Sequence, residues 1–249
     1  MKKALRACAM CFSRFCAIPS PFKVWDEEAR PLMTLFLPAV GLLIGLLWTG
    51  LAWLLGILEA PALVTGAILC AWPMLASGFM HMDGFLDVTD AIRSWRDVEE
   101  RRRILKDPHS GSFAVICCVV LVMLQFALLS SLREDADLWA LTLIPISTRA
   151  CAAACVTGLR PMSESQYAGA YLQGVKKSHL VIPIVTWVVT AAAGFVFLGW
   201  YGFVTVAAAA GYLLALQKSF RWLDGMSGDV SGHALVIGEL CGVAVFALI

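Results

Sequence analysis

The feature that most limits the possible folds is a series of long apolar runs, near residues 33–57, 61–80, 111–132, 138–158, 180–199, 202–216 and 234–249. A helix needs about 20 apolar residues to cross a bilayer, whose core offers no partner to an unpaired backbone N–H or C=O. A soluble domain could not hide so many such runs. Only 15% of the residues are charged, against about 25% in a soluble domain. The expected fold is all-α: a polytopic membrane helix bundle of about seven transmembrane helices, forming one integral membrane domain over residues 1–249. Pro38, Pro73, Pro145 and Pro183 fall inside the runs, where they kink helices rather than end them. Glu59–Pro61 reads as a tight hairpin between the first two spans.

Residues 1–32 form an N-terminal segment of another kind. Lys2, Lys3 and Arg6 imitate the start of a signal peptide, but Arg14 interrupts the apolar stretch and no A-x-A site follows. Leu5, Cys8, Phe12 and Phe15 share one helical face, so an interfacial helix is expected, then a polar hinge from Pro19 to Pro31. The nine cysteines lie mostly in apolar runs and read as small buried hydrophobes. Cys8 and Cys11 lack the second pair or the histidines of a zinc site.

Orientation follows from the bases. Six, six, three and two of the 19 Lys and Arg residues fall before the first span and between spans two and three, four and five, and six and seven. That side is expected to be cytoplasmic, in a cell inner membrane. The other side keeps Arg133, beside Glu134, Asp135 and Asp137, while Arg149 lies inside a span.

The longest polar interval, Gly78–Ser112, lies on the basic side and reads as a cytoplasmic catalytic loop and helix. It holds seven acids and six bases. Asp83, Asp87 and Asp90 stand at i, i+4 and i+7, within roughly 60° of one another on a helix turning about 100° per residue. Such carboxylates repel one another unless a cation sits among them, and hard oxygen ligands suit Mg²⁺ or Mn²⁺. The alternative, a solvated helix face, fits poorly with the interleaved Gly84, Phe85, Leu86, Val88 and Ala91. The bases that follow suit a phosphorylated substrate. His81 is a candidate base, or equally a structural interfacial histidine. Lys106, Asp107, Ser110 and Gly111 lie in a loop feeding span three, whose N-terminal amides favour an anion. Lys106 is a candidate phosphate ligand and Asp107 a candidate metal ligand or base; an ordinary helix start is the plain alternative.

Arg149 is costly inside a span and is expected to bind phosphate or carboxylate, unless it pairs structurally with Glu239 in the last span. Asp224 and Asp229, in DGMSGD, are candidate ligands for substrate or metal, with a surface turn as the alternative. His233 lies one turn after Asp229 and can face the same way.

Together these residues resemble the cobalamin synthase family of membrane enzymes. The likeness covers nearly the whole length. It rests on FMHMDGFLDVTD (Phe79–Asp90), ILKDPHSGSF (Ile104–Phe113), Arg149 and DGMSGD (Asp224–Asp229), with FCAIPSP (Phe15–Pro21) resembling the family's opening. Ser77, Ala91 and Ala114 stand where the family commonly has glycine. The resemblance implies Mg²⁺-dependent transfer: a ribose hydroxyl of α-ribazole, or of its 5′-phosphate, attacks the cobinamide-side phosphorus of adenosylcobinamide-GDP and GMP leaves. It implies a corrinoid nucleotide and α-ribazole as partners, lipid around the bundle and no nucleic-acid partner; a homo-oligomer remains open. Asp83, Asp87 and Asp90 would hold the metal, and Arg149 and Lys106 would offset phosphate charge. A CDP-alcohol phosphotransferase shares the chemistry, but its glycine is placed differently and an A-R pair follows it. A secondary transporter is the other alternative, although its charges would sit nearer the midplane in repeated halves.

Overall fold

A computed structural model of the chain describes residues 2–19, 24–162 and 176–249. Ser20 and Pro21, which close the FCAIPSP motif, lie outside the described residues. The helices are α1 (Lys2–Phe15), α2 (Leu37–Ile57), α3 (Ala62–Ala76), α4 (Met80–Arg93), α5 (Val98–Ile104), α6 (Ser112–Ser130), α7 (Ala140–Gly158), α8 (Val181–Leu198), α9 (Phe203–Leu223) and α10 (Gly228–Leu248). There is no strand among the described residues. Short 3₁₀ turns lead into α2 and α8 and join α8 to α9.

Each expected apolar segment is helical. Five helical stretches are long and apolar enough to cross a membrane, or six if the bent pair α3–α4 is one broken span. One stretch, Ser178–Leu223, folds back on itself. Trp187 Nε1 donates to the Thr205 carbonyl at 3.4 Å, and the Phe195 and Phe203 rings meet edge to face at 5.0 Å. The chain therefore reverses at Gly199–Gly202, and α8 and α9 form a hairpin. The turn after α2 is also as expected: Glu59 takes φ 50°, and the Ala60 amide returns to the Leu55 carbonyl, closing the helix with a left-handed cap.

The centre of the bundle is held by polar groups satisfied between helices, since burial of apolar side chains does little in lipid. Trp48 Nε1 donates to the Leu69 carbonyl and Trp72 Nε1 to the Ile44 carbonyl, each at 3.0 Å, pinning α3 to α2. Thr49 and Thr142 share a 2.7 Å hydrogen bond between α2 and α7. The outside is apolar: α6 exposes Ile116, Val119, Val120, Met123 and Leu124 and buries the narrow stripe Ala114, Leu121, Gln125 and Leu129.

Two boundaries differ from expectation, and both shape the site. The second apolar run ends as a helix at Ala76, because Gly78 and Phe79 take φ of 62° and 60°. The chain turns 89° there before α4 begins. The last helix starts at Gly228 rather than near 234, because Ser227 caps it by accepting the Val230 amide at 3.1 Å. Asp229 and His233 therefore lie in its first turns. The N-terminal helix forms as α1, but of the face expected to be apolar Leu5 stays exposed and Phe12 and Phe15 are only partly buried, while the fully buried residues are Ala7, Met10 and Cys11.

Candidate active site

Asp83, Asp87 and Asp90 all lie on α4, which packs against the N-terminal ends of α6 and α10. The packing against α10 depends on Gly84. A Cβ there would come within 2.9 Å of the Asp229 Cα and carbonyl oxygen. Opposite it, a Cβ on Gly232 would stand 3.3 Å from the His81 Cα. With no side chain between the backbones, Asp229 comes up beside Asp83.

The result is a cluster of carboxylates at the level of two helix starts. Partial burial first, then the charges of Asp83, Asp229 and Asp90, push the Asp87 carboxyl up to about 7. Neither Asp83 nor Asp87 has a hydrogen-bond or ion-pair partner for its carboxylate among the described residues. Asp90 is differently placed. Its Oδ2 accepts the Gly111 amide and its Oδ1 the Ala114 amide, at 3.3 Å, so it caps α6. The anion that the amides opening α6 at Gly111, Ser112 and Phe113 were expected to attract is therefore the protein's own Asp90, bound through Gly111 and Ala114. A Cβ on Gly111 would collide with that carboxylate.

A cavity of ≈ 610 Å³ opens beside the cluster. Asp83, Asp229, His81, Lys106, Arg14 and Ser227 line it, with an apolar wall from α2, α7 and α10. His81 Nε2 is buried without a hydrogen-bond partner. Burial, then the charge of Arg149, hold its imidazole below its usual pKa, so it is a neutral acceptor.

Lys106 reaches the cavity because α5 is clamped to the end of α9. Arg101 donates to the Trp222 carbonyl at 3.1 Å with its guanidinium 4.4 Å from the Trp222 ring centre, and Arg102 donates to the Leu223 carbonyl at 3.0 Å. These bases were expected to serve a phosphorylated substrate; two of them dock a helix.

Other expected residues do not gather there. Asp107 is exposed and accepts the His109 amide, with His109 Nδ1 at 2.8 Å; those contacts hold its carboxyl below the usual range. Asp224 caps α9 with φ 54° and pairs with Arg160 and Arg102 away from the cavity. Ser110 is exposed. Arg149 is 1% exposed and its Nη1 lies 2.6 Å from Glu239 Oε1, so α7 and α10 close on the structural pair that was the alternative reading. His233 faces the core, stacked on Phe85 at 5.5 Å and 3.0 Å from Ser219 Oγ.

Two features were not read from the sequence: the place of Arg14 on the cavity wall, and the packing of Gly84 against Asp229. The signal for the second was present in the matched dipeptides Asp83-Gly84 and Gly228-Asp229, an acid beside a glycine on each of two segments.

The donor set fits a hard divalent ion, since two carboxylates, Asp83 and Asp229, line the cavity. Among the described residues no group of three or more His, Cys, Asp or Glu side chains is close enough to hold an ion alone. Mg²⁺ is ordinarily held by one or two carboxylates with substrate phosphates completing its shell, and the pair Asp83 and Asp229 at a cavity mouth suits that sharing.

A family model described as cobalamin-5-phosphate synthase matches residues 7–247. The chain is 34% identical over 252 residues to the adenosylcobinamide-GDP ribazoletransferase of Clostridium perfringens (strain 13 / Type A), covering 100% of both. It is 32% identical to the enzyme of that name from Clostridium botulinum (strain Alaska E43 / Type E3), over 98% of this chain and 97% of the other. It is 33% identical to that from Pseudomonas syringae pv. syringae (strain B728a), over 95% and 93%. No solved structure matches the chain.

Proposed function

The chain belongs to the cobalamin-5-phosphate synthase family, a family of transferases, and from that premise we propose that it joins adenosylcobinamide-GDP to α-ribazole or its 5′-phosphate with release of GMP. The observation that carries the proposal is the unpaired carboxylate of Asp83, brought beside Asp229 on the wall of a cavity that Lys106 also lines, with Asp87 one turn further along α4.

Transfer at a diphosphate needs placement and charge neutralisation more than covalent help. Asp83 and Asp229, with Asp87 behind them, would hold Mg²⁺, which when bound offsets charge on the diphosphate. Lys106 presents its ammonium to the departing phosphate. Of the two candidate proton acceptors, His81 lines the cavity and Asp107 is tied to His109 outside it. Asp90 holds the start of α6 in place and so fixes the far end of α4. The apolar wall gives a large substrate a surface to lie against. The distribution of Lys and Arg supports a cavity on the cytoplasmic side of the inner membrane.

The test is one assay on the purified protein in detergent: adenosylcobinamide-GDP and α-ribazole, with and without Mg²⁺, following GMP. Mg²⁺-dependent GMP release is expected. No GMP, or equal release after the metal is chelated, would overturn the proposal.

A further inference from the structure

We propose that Arg14 is a substrate-phosphate ligand: α1 carries its guanidinium into the catalytic cavity, where it meets a phosphate or diphosphate group of an entering substrate. The proposal rests on the reading of this cavity as the site of phosphoryl transfer.

Arg14 stands in the last turn of α1, and with Phe15 it forms part of the cavity wall shared by Asp83, Asp229 and Lys106. The other bases of α1 that face the hinge are engaged there: Lys3 with Glu28 at 3.5 Å and Arg6 with Asp26 at 2.9 Å. Arg14 makes no hydrogen bond or ion pair among the described residues. A base at a helix C-terminus is also favoured by the helix dipole, but that accounts for its sign and not for its place on a cavity wall.

The helix that carries it is fixed. Ala7, Met10 and Cys11 are buried against the hinge and α2, and the Ala17 amide donates to the Ala76 carbonyl at 2.8 Å. That last bond ties the end of α1 to the end of α3, just ahead of the 89° bend from which α4 and Asp83 follow. The acids and Arg14 are thus held to one short piece of backbone. A guanidinium offers a planar fork that matches phosphate oxygens. With Lys106 it gives the cavity wall two bases beside Asp83 and Asp229, a charge pattern that suits a phosphate anion.

The phosphate has two sources, the diphosphate of the activated substrate and a 5′-phosphate on the acceptor, and the experiment separates them. Full-length wild type, Arg14→Ala, Arg14→Lys and Arg6→Ala are purified in detergent. KM and kcat are measured for each substrate, with the acceptor as nucleoside and as 5′-phosphate. Binding of pyrophosphate and of ribose 5-phosphate is measured without turnover. Arg14→Ala is expected to raise one KM about tenfold or more, the scale of a charge-assisted hydrogen bond. It should weaken the matching probe alike, Arg14→Lys should recover part of the loss, and Arg6→Ala should leave every KM unchanged. Wild-type KM values and probe binding in Arg14→Ala overturn the proposal. So does a loss shared by Arg6→Ala, which marks a structural role for α1. If wild type releases no GMP, the catalytic reading fails instead, and the two probes still decide whether Arg14 binds phosphate.

Discussion

Replacing Gly84 by alanine tests the geometry on which the site depends. The new Cβ would lie 2.9 Å from the Asp229 Cα and carbonyl oxygen, where ordinary contact begins at 3.4 Å, so the backbones must part by about 0.5 Å. Both contacts are backbone atoms, and neither can rotate away. Forcing an extra methyl into a packed interface costs about 1–3 kcal/mol. The larger effect is on placement, since Asp83 precedes Gly84 and Asp229 is the residue struck. A misplacement of about 1 Å can cost on the order of 10²-fold in rate; half that shift predicts a loss of roughly tenfold in kcat. Gly50→Ala is the control: nothing lies within 4 Å of a Cβ there, and the helix should gain up to about 1 kcal/mol from better propensity. The assay is GMP release alongside thermal unfolding of the solubilised protein. Wild-type kcat in Gly84→Ala, or equal losses in Gly84→Ala and Gly50→Ala, would refute the argument.

Asp83→Asn and Asp229→Asn should each abolish GMP release while the protein inserts and extracts normally; full activity in either removes that residue from the site. Asp90→Ala should lower stability by about 0.5–2 kcal/mol through loss of the α6 cap, and Asp90→Asn, which keeps one acceptor oxygen, should recover part of it; equal melting temperatures for wild type and Asp90→Ala would exclude the capping role. Below about 7 the Asp87 carboxyl is protonated, and a metal must displace that proton. The Mg²⁺ concentration for half-maximal activity should therefore fall as pH rises through 7, by up to about tenfold per unit below that value, and Asp87→Asn should flatten the slope; a dependence unchanged in that variant would show that another group sets it. Arg149→Met should destabilise the fold by about 3–5 kcal/mol, since it leaves Glu239 buried and unpaired, and Arg149→Met with Glu239→Met should recover much of that; unfolding unchanged by the single substitution would show that the pair is not structural.

The sequence displays a helix's periodicity well and a contact between distant segments poorly. The apolar runs gave the spans, because a membrane makes length and hydropathy sufficient evidence. The i, i+4, i+7 spacing placed Asp83, Asp87 and Asp90 on one helix, because such spacing has a meaning within that helix alone. What each acid then does depends on which other helix meets it. Asp90 meets the start of α6, and its oxygens are taken by amides. Asp83 meets the start of α10 and stays unpaired. Nothing in the local sequence separates the two fates.

The same reasoning explains Arg149 and Asp224. A buried cation signals that a partner exists, but the pattern of α7 cannot say whether the partner is a substrate phosphate or Glu239, 90 positions later. Asp224 and Asp229 look alike in DGMSGD, yet the left-handed turn at Asp224 sends it towards Arg160 while the cap at Ser227 starts α10 and aims Asp229 at α4. One backbone event, a helix beginning at Gly228 rather than six residues later, decides which acid joins the cluster. Because that start depends on Ser227 and the close approach on Gly84, the acidic site is built as much by an uncharged serine and a glycine as by the carboxylates themselves.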